Sequence, residues 1–121
     1  MHHKKSSESN LIIKKDYSKQ VIFSLKDFRE KGHLMQVVTI PPHTRQRLHA
    51  HHVQTEVYYV LEGETLVSID GKEHVAKPGD AFMTHPDDRH YLWNKSDRDF
   101  KLLVFKINYP EDSDDTDWLE E

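Results

Sequence analysis

A chain of 121 residues, 36% hydrophobic and 31% charged, has the length of one compact domain and no room for separate substrate and cofactor domains. It holds 10 histidines and no cysteine, which excludes disulfides, thiolate zinc sites, iron–sulfur clusters and a cysteine nucleophile, and favours an intracellular, cytoplasmic setting. No apolar run approaches the roughly 20 residues that span a bilayer, so no membrane partner is expected, and no charged-then-apolar leader is seen.

Along the chain the periodicity is that of strands. No stretch shows the i, i+3, i+4, i+7 apolar spacing of a helix. Residues 1–19 read as an N-terminal arm, with 11–13 as an isolated apolar strand able to exchange between subunits. Further strands are expected at 20–24, 34–40, 56–61, 65–69, 81–84, 90–93 and 101–107. One helical turn is expected at 27–31, before Gly32. Turn signals separate the runs: Pro41-Pro42, Glu62-Gly63, Asp70-Gly71, Pro78-Gly79 and Pro86-Asp87. Asp70-Gly71 between alternating apolar runs favours a type I′ hairpin. Many short antiparallel strands make an all-β sandwich, jelly roll or small barrel over 20–108.

Residues 109–121 form an acidic tail. Glu111, Asp112, Asp114, Asp115, Asp117, Glu120 and Glu121 meet no base there, and four lysines stand against Glu8 in residues 1–15. Taking these away from the 17 bases and 21 acids leaves 13 of each in residues 16–110. A neutral body argues against nucleic acid as a partner. Both ends read as solvated, except that Trp118 and Leu119 interrupt the acids and can dock on the domain or on a second subunit.

The histidines concentrate between His43 and His90. Residues i and i+2 of a strand share a face, so His49 and His51 can converge on one ion across the small Ala50. Glu56 follows at an odd offset, so a bend at 52–55 is needed to bring it to them. A carboxylate opening an apolar strand is costly to bury without a cation, and a divalent metal supplies one.

This stretch resembles the cupin family. His49, one residue, His51, four residues, Glu56, six residues and Gly63 match the first cupin motif, with His43 where its leading Gly stands. Gly79, His90 and Asn94 match the second, with His85 and Asp87 where its Pro and second Gly stand. The resemblance implies a double-stranded β-helix, or jelly-roll, barrel. It implies metal ligation by His49, His51, Glu56 and His90, and a structural role for Asn94. His43 in place of Gly implies a less tight entry turn. His85 and Asp87 imply a changed loop before His90, with Pro86 supplying its turn.

Such a set leaves two positions of a six-coordinate ion open. Its mixed nitrogen and oxygen donors suit Fe, Mn, Ni, Co, Cu or Zn without choosing among them. Parity places Arg45 and Arg47 on the side of His49, with Arg47 able to clamp a carboxylate or phosphate. Tyr58 and Val60 follow Glu56 inward, and Tyr58 can bond a ligand or substrate. His85 falls at the expected barrel mouth as a substrate contact or acid–base group. His52 lies beside a ligand on the opposite face, with an extra ligand or proton-transfer group as its lesser reading, Met83 and Phe105 can line the cavity but read first as packing residues, and His33 and His74 read as surface residues. His2 and His3 call for no function. No Ser-His-Asp arrangement and no phosphate-cradling glycine loop is present.

The resulting expectation is a metal-dependent enzyme of isomerase, dioxygenase, decarboxylase or lyase type. Its substrate is a small polar molecule such as a sugar or carboxylate. A non-catalytic ligand-binding or sensor domain is the alternative, and a storage or structural protein is disfavoured by the intact motif. The resemblance also implies a homodimer.

Overall fold

A computed structural model describes residues 1–111 and 114–121; of the acidic tail, Asp112 lies outside the described residues. Among the described residues, twelve strands form two sheets facing one another. In chain order they are β1 (Leu11–Ile13), β2 (Ser18–Phe23), β3 (Leu34–Ile40), β4 (Thr44–Arg45), β5 (His49–His51), β6 (Thr55–Glu62), β7 (Thr65–Ile69), β8 (Lys72–Ala76), β9 (Ala81–Thr84), β10 (His90–Asn94), β11 (Phe100–Ile107) and β12 (Thr116–Trp118). The first sheet has the order β1-β2-β3-β11-β6-β9 and the second β12-β5-β10-β7-β8, with β4 also on β10. All pairings are antiparallel. This is the expected double-stranded β-helix. No helix among the described residues is long and apolar enough to cross a membrane.

Alternation decides which residues go inside. On β11 Phe100, Leu102 and Val104 are buried, while the residues between them are only partly so. The inward rows all grade in one direction. They run Ile40, Val38, Gln36 on β3; Val60, Tyr58, Glu56 on β6; and Phe100, Leu102, Val104, Lys106 on β11. On β10 the row is Asn94, Leu92, His90. One end of the barrel is therefore a dry core, with Ile40, Phe100 and Leu102 fully inaccessible. The other end gathers the polar termini of those rows. Asn94 closes the apolar end: its amide donates to the carbonyls of Ile40 (2.9 Å) and Arg98 (2.7 Å), and its Oδ1 accepts from the Ser96 hydroxyl at 2.7 Å. That is the structural role the resemblance implied.

Several local expectations change. The helical turn at 27–31 is replaced by a 3₁₀ turn at Leu25–Asp27, closed by a Ser24–Asp27 capping box. Strands β8 and β12 were not expected. The exposed edge strand β8 buries only its last residue and so shows no alternation, and β12 is masked by acidic composition. The Asp70-Gly71 hairpin forms with φ of 50° and 80°, as a type I′ turn requires. The isolated strand β1 pairs with β2 of its own chain through a turn closed by Lys14 N to Tyr17 O at 2.8 Å.

The substituted glycine positions adopt the left-handed backbone that glycine favours. His43 has φ 53° and Asp87 φ 71°. His85-Pro86-Asp87-Asp88 is a type II turn, with Pro86 at its second position and Asp88 N donating to His85 O at 3.1 Å. Pro86 does supply the turn. At Gly63, with φ 83°, a Cβ would lie 2.7 Å from the backbone oxygen of Asp99. Gly63→Ala is therefore expected to lower stability to urea by at least about 2 kcal/mol. His43→Gly is expected to raise it by about 1 kcal/mol, because left-handed strain is relieved and the exposed His43–Asp97 pair contributes little.

Candidate metal centre

Strands β5 and β10 pair at the histidines themselves, His49 opposite His90. His49, His51 and His90 are all buried, and each offers a nitrogen within 4.8 Å of the others'. Glu56 arrives from the other sheet. The chain leaves β5, bends at 52–54 and enters β6, so the carboxylate meets the imidazoles across the barrel rather than along one strand. The required bend is thus present. Its amides at His52, Val53 and Gln54 all donate to the Asp115 carboxylate, at 2.9 to 3.2 Å.

The ring orientations follow from the partners of Nδ1. His49 Nδ1 lies 2.8 Å from the Arg47 carbonyl and His90 Nδ1 2.9 Å from the Asp88 carbonyl. A carbonyl only accepts, so both rings carry hydrogen on Nδ1 and present the Nε2 lone pair. His51 Nδ1 lies 3.3 Å from Thr116 Oγ1. Its Nε2 is buried with no partner in hydrogen-bonding geometry, although Glu56 Oε1 lies against it. Glu56 Oε1 is also 3.7 Å from His90 Nε2 and accepts from the Tyr58 hydroxyl at 2.8 Å.

The charges are consistent with a cation site. Burial pushes His49 down to about 4, helped by the neighbouring His90. Burial alone would raise the Glu56 carboxyl, but the His51 and His90 imidazoles hold it well below the usual carboxylate range. Burial, and then the Glu56 charge, push the Tyr58 hydroxyl well above its ordinary value. At neutral pH His49 is therefore uncharged, Glu56 is ionised and the Tyr58 phenol keeps its proton. An orphaned, buried imidazole nitrogen beside a carboxylate is the donor set that a divalent transition metal satisfies.

The other sequence candidates are distributed differently. Tyr58 joins the centre. Arg47 faces away from it: its amide and Nε donate to Asp16, and its guanidinium lies 3.8 Å over the Trp118 ring. Arg45 also faces outward, pairing with Glu120 and stacking on Tyr91. His85 is exposed on its turn, and its side chain does not line the cavity. His52 is exposed and pairs with Asp87 at 2.8 Å. Beyond the ligand set, the cavity of about 60 Å³ is lined by Tyr17, Gln36, Tyr58, Phe82, Lys106 and Trp118. Sequence reading missed Gln36 and Lys106, although each sits at inward parity at the end of an apolar row. Thr116 was hidden in the acidic tail, whereas Trp118 docks on the domain, one of the two places expected for it.

A family model described as a cupin domain matches residues 36–106. An uncharacterised protein of Methanocaldococcus jannaschii is 30% identical, over 90% of this chain and 96% of its own. An oxalate-binding protein of Thermotoga maritima is 29% identical over 71% of each chain. A crystal structure from Thermotoga maritima, described as a predicted oxalate decarboxylase, superposes with a TM-score of 0.78 at 26% identity, covering 88% of this chain and 99% of that one. A polyketide cyclase from Streptomyces resistomycificus shares the fold, with a TM-score of 0.81 at 16% identity over 100% and 87% of the two chains.

Asp115 gives this region a pH dependence. Burial opposes ionisation, but the amides of Gln54 and Val53 outweigh it and hold the carboxyl below its usual 3.8. A depressed carboxyl contributes stability above the unfolded value and loses it as pH falls through the folded one. Asp115→Asn is expected to cost about 2 kcal/mol at pH 7, and the wild-type and variant unfolding curves should converge below about pH 3.8.

Proposed function

The chain belongs to the cupin family, and on that footing we propose that it is a mononuclear metal-dependent cupin taking a small carboxylate, with His49, His51, Glu56 and His90 as the ligands. The observation that carries this is the set of buried imidazoles with Nε2 aimed at one point beside Glu56. A bound metal would supply a Lewis acid, or a redox centre if it is Fe, Mn or Cu, for an oxygen ligand in its open positions.

The rest of the cavity supports an anionic ligand. Lys106 lies directly across the strand pair from Glu56 and lines the cavity. Gln36 is buried with an unpartnered Oε1, a ready acceptor for a hydroxyl or protonated carboxyl. A cavity of about 60 Å³ suits a ligand of a few heavy atoms. The oxalate-binding relative supports a dicarboxylate of that size. Tyr58 donates its proton to Glu56 Oε1 at 2.8 Å and so fixes that carboxylate at the edge of the bound ligand. The Thermotoga structure described as a predicted oxalate decarboxylase supports turnover of decarboxylase type for such a ligand. Binding without turnover is the second reading, favoured by the description of the oxalate-binding relative.

A homodimer accompanies this proposal. Tyr59 (48% exposed) and Leu61 (42%) on β6 share the outer face of the first sheet with Met83 (45%) on β9, a neighbouring apolar surface for a second copy. The absence of cysteine suits the cytoplasm.

Metal analysis of protein purified without added metal and without an appended His tag should find about one transition-metal ion per chain. His49→Ala with His51→Ala should lose it. A folded double variant that keeps its metal would sink the proposed ligand set. With Co²⁺ loaded, oxalate binding by calorimetry should weaken at least about tenfold in Lys106→Met. Carbon dioxide release from oxalate separates turnover from binding alone.

A further inference from the structure

The segment 114–120 looks in sequence like part of a solvated acidic tail, yet its anchors converge on the strand that carries His49 and His51. Asp115 takes the amides that follow β5. Leu119 N donates to the Leu48 carbonyl at 2.9 Å. Glu120 accepts from the Leu48 amide and, at 2.8 Å, from Arg45. Between these anchors β12 pairs with β5, Thr116 opposite His51 and Trp118 opposite His49. Residues directly opposite in an antiparallel pair share a face. Thr116 and Trp118 therefore both line the cavity with the histidines.

Each meets one imidazole. Thr116 Oγ1 is 3.3 Å from His51 Nδ1, and the Trp118 ring is 4.9 Å from that of His49. Backbone carbonyls hold His49 and His90. The partner of His51 is a side chain, and it comes from the C-terminal strand. Arg47, expected in the cavity, instead lies on the outer side of this arrangement, clamping the Trp118 ring.

Resting on the metal-centre reading, we infer that residues 114–120 are a working part of that centre: Thr116 is a positioning residue that holds the ring of His51, and Trp118 is the wall against His49. Docking of the segment and metal affinity are then coupled. Release of β12 frees the His51 ring and uncovers the edge of a three-residue strand. By reciprocity, an ion bound to His51 strengthens the docking by the same factor. The edge position and the short pairing place the segment among the parts of the fold that open most easily.

The test is Co²⁺ titration of the full chain against a competing chelator, in wild type, Thr116→Val, Thr116→Ser and Trp118→Phe. Thr116→Val should weaken Co²⁺ binding by about 10- to 100-fold, with its unfolding midpoint in EDTA unchanged, and Thr116→Ser should restore it. Bound Co²⁺ should quench wild-type tryptophan fluorescence strongly. It should affect Trp118→Phe less, because the remaining Trp93 points outward from β10 under Lys95 and does not line the cavity. Co²⁺ should also protect the wild-type C-terminus from carboxypeptidase, a readout that does not depend on any variant folding. Wild-type Co²⁺ affinity in Thr116→Val, or digestion of the C-terminus at the same rate with and without Co²⁺, overturns the inference while leaving the ligand set standing. A wild-type chain that takes up no Co²⁺ overturns both.

Discussion

A carboxylate buried among three imidazoles is the arrangement on which the rest of this molecule depends. An ionised carboxylate in a protein interior is costly unless charge and hydrogen bonds compensate it. Glu56 is compensated by the His51 and His90 imidazoles and by the Tyr58 hydroxyl. Those imidazoles must themselves be held in one orientation, and backbone carbonyls two residues upstream hold His49 and His90. The strands that supply these groups come from opposite sheets, so the centre also ties the two layers together at the barrel's polar end.

The opposite end provides the stability that this arrangement consumes. Ile40, Val60, Phe100, Leu102 and Val104 are essentially inaccessible and form one apolar cluster. Burial of each side chain of this kind contributes about 1.5–3 kcal/mol. Because the same strands run from that cluster to the centre, the positions of Glu56, His90 and Lys106 are set by packing several residues away. A shift of register by one residue would turn every inward group outward, so the apolar rows specify the site as well as the core.

The tight turns show how backbone shape outlasts residue identity. His43 and Asp87 stand where the family motifs have glycine, and both retain positive φ. The loops that present His49 and His90 therefore carry a local cost in strain.

Much was legible in the sequence because it depends on local spacing. The period of two in 34–40 and 101–107, the Asp70-Gly71 hairpin, and His49, His51, Glu56 and His90 at motif spacing all follow from which residues neighbour which along a strand. The need for a bend before Glu56 was legible for the same reason. What remained hidden depends on pairing between distant segments. Arg47 has the parity to face the ligands, but Asp16 and Trp118, thirty-one and seventy-one positions away, draw it outward. Trp118 stands out among the acids as a residue able to dock and Thr116 does not, but only the addition of β12 to β5 brings them to His49 and His51. The sequence by itself determined the strands, the inward rows and the donor atoms, since alternation and spacing are properties of a single segment. The tertiary structure decided which side chains complete and enclose the centre, since that depends on which strand edges meet.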